Sequence, residues 1–600
     1  MRPDEPLTRS LAGSQPARVE SDSRAVTRPR PTGMPRRLEG APVLRRVGSA
    51  AAVVDVPRGG NVLVACVEKR RWVDLARTLA ALAVLTLSAG CAVDSRLVSR
   101  IVDDASGQPL AARVAATNPD GKPLEVEGRH EHVQYLGKRW CYVDGSFTLA
   151  VPAAGAVIEI RRGLETLPLS ETIAAARSDA TRERTFRLRR WADMYGHGLL
   201  SGDVHAHLPS PRDAALQMRA EDVRVVNLLA LSGSDFPANS AFTGRLDEAS
   251  GGGYDISVSQ EVQDWQVGHV TLLGLRSLVP GYPNPGGTLE YWTSNPHWDI
   301  GRAARAAREQ GGFVSWSHFE NLPGSYSPVA VALGLLDAVE LMTWGDPSQL
   351  PAHLSPWNDS GVPLAEFTVM RGVDLYYQYL NAGFRLPIAA GTDKVGDDMP
   401  LGSNRTYVAA RSPLGHASWI EGVKAGRGFV TNAPMLEFEV DGHGPGATVE
   451  LGDGRKVTAR LRARSILPFT TIELVSNGRS LARRVVPITA NPPVDGVYSM
   501  TIEAQVDLDR SAWIAGRVLD DPDLNPRVLP RGVSVFAHTN PVYFIGDGRK
   551  VREEASIAYL RRYVGGLRHW LSTHPSFAHE EDRRSIERDT AEALRFYETL

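Results

Sequence analysis

The sequence predicts a mixed α/β and all-β chain, in which a parallel (β/α) barrel lies between two β-sandwiches and a short helical tail follows. Residues 95–190 and 442–545 alternate apolar and polar side chains between Gly, Asp and Pro turns, which is the pattern of half-buried strands. Between them, apolar runs that end in a polar residue alternate with helical stretches, as in a (β/α) barrel. The 600 residues are 42% hydrophobic, which allows three or four domains at about 100–200 residues each.

The composition excludes several classes of protein. The 67 Lys and Arg residues balance 69 Asp and Glu residues, so the chain lacks the basic field of a nucleic-acid-binding protein and no nucleic-acid partner is expected. The three cysteines, Cys66, Cys91 and Cys141, cannot form a disulfide framework or a cysteine-based zinc ribbon. Any bound metal must therefore be held by histidines and carboxylates.

The N-terminal region predicts export and a lipid anchor. Residues 1–66 are rich in Arg, Pro, Ser and Gly, and we expect a disordered leader or an over-extended start. Residues 67–91 contain a cationic stretch, a short apolar stretch and small residues before Cys91, as in a secretory signal. The end of this segment resembles a bacterial lipobox, which implies that Cys91 is acylated and anchors the protein to the cell envelope. A simple cleaved signal and an uncleaved anchor are the alternatives.

The segment 95–190 resembles a small β-sandwich of the carboxypeptidase regulatory type, a module without chemistry of its own. His130 and His132 lie in it as an H-x-H pair. Because no carboxylate or third histidine follows at a suitable spacing, they are not predicted as ligands.

The segment 195–441 carries the candidate chemistry and begins with the motif GDVHAH, which contains His205 and His207. Residues i and i+2 of a strand point to the same face, so both imidazoles can reach one cation. Later apolar runs lead to further polar residues: Asp235, Glu261 with His269 opening the next strand, His318, Glu340 and Asp393. In a parallel barrel the carboxyl ends of the strands gather at one mouth, where we expect these side chains.

The region from Leu200 to Asp441, about 40% of the chain, resembles the PHP (polymerase and histidinol phosphatase) metal-dependent hydrolases. Within them it is similar to the CehA/McbA-type metallohydrolases, a group that includes carbamate ester hydrolases. Beyond GDVHAH, the supporting stretches are SQEVQDWQVGHVTLLGL, GGFVSWSH, YLNAGFRLPIAAGTD, GSNRTYV and WIEGVKAGRGFVTNAPMLEFEVDG. The resemblance implies a distorted (β/α)7 barrel with a metal cluster in its mouth.

The resemblance also implies the metal ligands. One site takes His205, His207, Glu261 and Asp393, and a second takes His269 and His318, with Glu261 bridging. Imidazoles and carboxylates suit Zn²⁺, Mn²⁺ or Fe²⁺. Phe236 and Val395 stand where trinuclear relatives have histidines, so we expect two metal ions at most.

Several other residues are candidates for supporting roles. Asp235 is expected to support an imidazole rather than to bind metal. Arg405 is a candidate clamp for an anionic substrate group or a developing oxyanion, with a structural salt bridge as the alternative. Glu340 is interpreted as a partner for an arginine, outside the cluster. Trp316, Trp344 and Tyr407 either form an aromatic substrate wall or pack in the core.

These observations predict an enzyme whose two metal ions activate water for attack on an ester, carbamate or amide of a small-molecule substrate. One alternative is a phosphoesterase of the PHP type. Another is a non-catalytic, metal-containing lipoprotein that serves surface binding.

The remaining C-terminal segments carry no predicted chemistry. Residues 442–545 are predicted to form the second β-sandwich. Residues 553–600 are predicted to be helical, because apolar residues from Ile557 to Leu571 recur at helical spacing.

Overall fold

The structure, a computed structural model, describes residues 95–600 except 129, 175–179, 232–233, 265, 281–295, 321–323, 348–371, 453–454, 521–522, 526–528 and 574–575. The predicted leader, the signal segment and Cys91 lie outside the described residues. Within the described part of the chain, no helix has the length and apolar character needed to cross a membrane.

The N-terminal region consists of two small sheets that share one core. Its strands are β1 (Ser95–Asp103), β2 (Ala111–Thr117), β3 (Pro123–Leu124), β4 (His132–Tyr135), β5 (Lys138–Asp144), β6 (Ser146–Val151), β7 (Ala156–Arg161), β8 (Leu169–Ile173) and β9 (Thr181–Leu188). One sheet has the order β6-β1-β9, and the other has the order β4-β5-β2-β7-β8 with β3 beside β2. Leu97 and Phe147 from the first sheet are buried in one cluster with Val114 and Ile158 from the second. Cys141 is buried in the same core.

The central region supplies most of the candidate site. Its strands are β10 (Leu199–Ala206), β11 (Val225–Leu231), β12 (Asp255–Asp264), β13 (Gly268–Leu273), β14 (Phe313–Trp316), β15 (Ala338–Met342) and β16 (Ile388–Ala390). Its helices are α1 (Pro211–Glu221), α2 (Ala238–Ala241), α3 (Ile300–Glu309), α4 (Ser327–Ala332) and α5 (Gly372–Asn381). Helix α3 begins after Asp299, whose side chain accepts a hydrogen bond from the amide of Arg302.

The C-terminal region adds further strands and three helices. The strands are β17 (Arg405–Ala409), β18 (Gly428–Thr431), β19 (Met435–Val440), β20 (Thr448–Leu451), β21 (Arg455–Ser465), β22 (Thr471–Ser476), β23 (Arg479–Val485), β24 (Tyr498–Leu508), β25 (Ala512–Leu519), β26 (Phe536–Thr539) and β27 (Val542–Gly546). The helices are α6 (His416–Lys424), α7 (Glu554–Thr573) and α8 (Glu580–Thr599). The last two confirm the predicted helical tail. They pack on the central region, where Tyr563 donates to the carbonyl of Gly324 and Arg305 pairs with Asp589.

The predicted fold class, a distorted (β/α)7 barrel flanked by two separate β-sandwiches, is wrong. The central strands belong to one mixed 15-stranded sheet with the order β16-β15-β14-β13-β12-β11-β10-β17-β18-β26-β25-β22-β23, to which β20 and β27 also belong. β13 runs antiparallel to both of its neighbours. β18 pairs with β26, so C-terminal strands continue the central sheet. An apolar run indicates a buried strand but specifies neither its direction nor its partner, and the sequence pattern therefore could not exclude this sheet.

The direction of the central strands gathers the candidate ligands at one edge. β10, β11 and β12 are parallel, as are β14, β15 and β16, and two antiparallel steps through β13 give both sets the same direction. Lys394, just beyond β16, forms a parallel bridge with Ala206 of β10. The amide of Asp393 donates to the carbonyl of His205 at 2.8 Å. The segment after β16 therefore lies against the end of β10.

Candidate metal centre

The candidate ligands lie at three strand ends and in one hairpin. His205 is in β10 and His207 follows it, at an irregularity in the pairing of β10 with β11. His318 follows β14, and Asp393 follows β16. Glu261 and His269 face each other across the β12–β13 hairpin, where Gln263 is paired with His269. All six side chains are buried: His205, His207, Glu261, His269, His318 and Asp393.

Four of these side chains place potential ligand atoms close to one another. His205 Nε2 lies 3.2 Å from His207 Nε2, and these two nitrogens lie 3.4 and 3.1 Å from Glu261 Oε2. Asp393 Oδ1 lies 3.5 Å from each of the two nitrogens. Ligand atoms at 2.0–2.1 Å from a tetrahedral ion are separated by about 3.3–3.4 Å. These five distances fit the spacing around a Zn²⁺-sized ion. His205, His207 and Asp393 form one group of atoms close enough to share an ion, and His205, Glu261 and His318 form another.

The second oxygens of the same carboxylates face further histidines. Glu261 Oε1 lies 3.4 Å from His318 Nε2 and 3.5 Å from His269 Nδ1. Asp393 Oδ2 lies 3.8 Å from His318 Nε2. Because Glu261 and Asp393 each direct one oxygen to each group, the candidate ligand atoms form two adjacent groups.

The outer nitrogens of the first two imidazoles are held by acceptors. His205 Nδ1 lies 2.9 Å from Glu340 Oε2, and His207 Nδ1 lies 3.0 Å from the carbonyl of Leu229. Nδ1–H donation to these oxygens leaves a lone pair on each Nε2, which is the arrangement that ligating histidines require. Two lone pairs 3.2 Å apart repel each other unless a cation lies between them. The donor set therefore fits a metal ion.

The charges of the cluster favour a cation. Burial by itself lowers the pKa of His205, but the carboxylates of Glu261, Glu340 and Asp393 outweigh burial and hold that pKa well above its ordinary value. Burial raises the pKa of Glu261, yet His205 and hydrogen bonds from neighbouring imidazoles hold it well below its ordinary value. The buried carboxylates thus favour positive charge at the centre of the cluster, which a protonated imidazole or a divalent ion would supply.

The main chain at the site is held in an unusual conformation. His318 and Asp393 have φ values of 52° and 43°, in the left-handed region that is costly for residues other than glycine. Asp203, wholly buried, accepts hydrogen bonds from the amides of His205 and Thr392 at 3.0 Å each and from the amide of Gly402 at 2.9 Å. Burial is the main reason that the pKa of Asp203 is raised to about 6. This carboxylate joins the chain segments that carry His205 and Asp393.

The structure corrects the two catalytic roles predicted outside the metal cluster. Asp235 does not support an imidazole: its side chain is exposed, and the neighbouring Phe236 stacks on the His207 ring at 4.8 Å. Arg405 is not a substrate clamp, because its buried guanidinium donates to the main-chain carbonyls of Glu221 and Asp222, at 3.0 and 3.3 Å, and to that of Gly402. It joins β17 to the end of α1.

Sequence reasoning also missed the roles of two other residues and left three aromatic residues undecided. Glu340, predicted to pair with an arginine, instead contacts His205. Its position within an apolar run carries no information about that partner. Asp203 was missed, although it precedes His205 by two residues in the same strand. Among the three candidate aromatic residues, Trp316 and Tyr407 are fully buried core residues, whereas Trp344 is 40% exposed.

Comparisons with known proteins do not assign the chain to a family. No family model matches it, and no curated protein matches it. Among solved structures, PsfC from Pseudomonas syringae PB-5123 is 15% identical, with 38% of this chain and 90% of that chain covered and a TM-score of 0.24. A pilus-presented adhesin (Cpa) is 14% identical, with coverages of 17% and 27% and a TM-score of 0.11. Scores this low establish no common fold, so the class of protein is argued from the site itself.

Proposed function

We propose that this protein is a metal-dependent hydrolase with a binuclear centre. The observation that carries the proposal is the spacing of His205 Nε2, His207 Nε2, Glu261 Oε2 and Asp393 Oδ1, which lie 3.1–3.5 Å apart in the five pairs measured. This spacing matches the edges of a coordination tetrahedron of about 3.3–3.4 Å. The second oxygens of the two carboxylates extend the site toward His318 and His269.

In this proposal, some residues of the site bind the metal ions and others orient the imidazoles. His205, His207, Glu261 and Asp393 would hold one ion, and His318 and His269 would hold the other together with the same two carboxylates. Two divalent ions in such a site lower the pKa of water and polarise a carbonyl or phosphoryl oxygen. Glu340 and the Leu229 carbonyl keep the imidazoles turned inward. The chain itself needs no serine or cysteine nucleophile for hydrolysis.

Among the described residues, the cations considered beside the site, Lys394 and Arg531, favour a carboxyl ester, carbamate or amide over a phosphate monoester as the substrate. A phosphate dianion calls for guanidinium or ammonium groups that are free to bind it. Lys394 Nζ instead donates to the carbonyls of Gly396 and Met399, at 2.6 and 2.7 Å. Arg531 donates to the carbonyls of Thr392 and Asp393. This preference agrees with the resemblance to the CehA/McbA-type hydrolases.

A substrate panel tests the proposal. Chromogenic carboxyl esters, carbamates, amides and phosphate esters are offered to the protein loaded with Zn²⁺ or Mn²⁺. We expect hydrolysis of at least one carboxyl-type substrate, and a loss of several orders of magnitude in Glu261→Gln, because the bridging charge is removed while the side-chain volume is kept. Glu473→Gln is the matched control, since Glu473 is a buried carboxylate that pairs with Arg517.

Three outcomes contradict the proposal. Hydrolysis confined to phosphate esters identifies a phosphoesterase. A metal-loaded protein that hydrolyses none of the substrates favours the binding lipoprotein. Equal activity in Glu261→Gln and the wild type contradicts a bridging role for this carboxylate.

A further inference from the structure

Arg531 reaches the metal cluster from the C-terminal strands. It lies in the connection between β25 and β26, within the short 3-10 helix Pro530–Gly532, 138 residues after Asp393 in the chain. Its side chain is only 11% exposed. Arg531 has a φ of 58° and the following Gly532 has a φ of 68°. The main chain therefore bends sharply at these two residues.

The guanidinium group of Arg531 donates hydrogen bonds to the segment that carries the candidate ligand Asp393. Nη1 donates to the carbonyl of Thr392 at 3.1 Å, and Nη2 donates to the carbonyl of Asp393 at 3.2 Å. Nε donates to Asp398 Oδ2 at 2.8 Å. One face of the group is covered by the ring of Trp344, whose centroid lies 3.8 Å from Cζ. The planar fork of arginine makes these contacts together, which a lysine ammonium cannot do.

We propose that Arg531 is a positioning residue for the binuclear centre, acting through Asp393. Asp393 must stay in the left-handed conformation, at a φ of 43°, for its two oxygens to face both metal positions. Its amide is held by the His205 carbonyl, and its carbonyl is held by Arg531. The inference rests on the proposed function, since it concerns how the metal ligands are kept in place.

Contacts around Trp344 extend the positioning role of Arg531 to the segment that carries His318. The amide of Trp344 donates to Glu320 Oε1 at 2.8 Å, and the same oxygen accepts from the amides of Thr343 and Gly345. Glu320 is buried two residues after His318. A continuous series of contacts therefore runs from the segment after His318, through Trp344 and Arg531, to Asp393. These contacts connect the two chain segments that carry His318 and Asp393.

The test compares metal binding in the full chain with Arg531→Lys and Arg531→Ala. Affinities for Zn²⁺ are measured by competition with a chromogenic chelator, and the coordination geometry is followed in the visible d–d spectrum of the Co²⁺-loaded protein. We expect both variants to bind metal about tenfold or more weakly, as is typical when a residue that orients a ligand is lost, with a shifted Co²⁺ spectrum. Guanidinium ions at low millimolar concentration should partly restore the affinity and spectrum of Arg531→Ala but not of Arg531→Lys.

Arg484→Lys is the matched control, because Arg484 is an exposed arginine in β23 that also donates to a main-chain carbonyl, that of Thr501. It should bind metal like the wild type, and an equal loss in this control overturns the inference. Wild-type affinity and spectrum in Arg531→Lys also overturn it, even if thermal stability falls. If the wild type itself binds no metal, the proposed function fails instead, so the two failures are distinguishable.

Discussion

Replacing Glu340 by glutamine should weaken metal binding although Glu340 is not a ligand in the proposed site. Glu340 and His205 are both fully buried, and Oε2 lies 2.9 Å from His205 Nδ1. The same oxygen accepts from Thr343 Oγ1 at 3.0 Å. Glutamine keeps the volume and one acceptor oxygen but removes the negative charge that makes His205 a stronger ligand.

The expected size of the effect follows from this geometry. Mutating the carboxylate that accepts from a ligating imidazole costs about 10–100-fold in metal affinity, which corresponds to about 1.4–2.7 kcal/mol. The fold should persist, because glutamine can still accept the hydrogen bond from Nδ1–H. Glu473→Gln, which leaves Arg517 without its buried partner, should lower the stability of the metal-free protein and leave metal affinity unchanged.

A chelator competition titration with Zn²⁺ measures the affinities of the wild type and the two variants, and circular dichroism of the metal-free proteins checks their folding. Wild-type affinity in a folded Glu340→Gln variant would refute the reasoning, because His205 would then not depend on Glu340 for its orientation or would not be a ligand. A weaker affinity in Glu473→Gln would show that any buried charge has this effect.

Three further predictions concern other parts of the chain. Asp203→Asn should lower the free energy of unfolding of the metal-free protein by about 1–3 kcal/mol in urea denaturation, because Asn cannot accept all the hydrogen bonds that Asp203 receives from His205, Thr392 and Gly402; an unchanged value would contradict the role of Asp203. Burial holds the pKa of His538 at about 3, below its ordinary value of 6.5, so between these values only the unfolded chain binds the proton. The free energy of unfolding should therefore fall by about 1.4 kcal/mol per pH unit from this group as the pH drops below 6.5, and denaturation at several pH values should show a flatter slope in His538→Gln; identical slopes would exclude this contribution. Labelling with a palmitate analogue should tag the wild type but not Cys91→Ser, which should also leave the membrane fraction; unchanged membrane association of that variant would favour an uncleaved anchor.

The metal ligands could be proposed from the sequence because their signals are local. An H-x-H pair on a strand places two imidazoles on one face, and a polar residue that ends an apolar run marks the end of a buried strand. These two rules select Asp235 and Glu340 as well as His205, His207, His318 and Asp393, and the choice of ligands among them came from the resemblance. The structure groups His205 and His207 with Asp393, and His205 and Glu261 with His318. Glu261 follows from the same reasoning, and the hairpin that carries it also carries His269.

The fold and the supporting residues depend on contacts between distant segments, which a single sequence does not display. An apolar run is equally compatible with the antiparallel β13 and with its parallel neighbours, and nothing in the strands after residue 442 indicated that β26 pairs with β18. Arg405 and Arg531 are alike as sequence features. Arg405 donates to the carbonyls of Glu221 and Asp222, whereas Arg531 donates to the carbonyl of Asp393. Only the tertiary structure distinguishes these two environments.

Metal content is the measurement that tests the central claim most directly. The purified protein is loaded with Zn²⁺ or Mn²⁺ and freed of excess ions. Its metal content is then measured by elemental mass spectrometry, in parallel with that of the His205→Ala variant. We predict close to two equivalents of metal per chain in the wild type and the loss of at least one equivalent in His205→Ala. A wild-type protein that remains metal-free after loading, or a His205→Ala variant with unchanged metal content, would contradict a binuclear centre at this cluster.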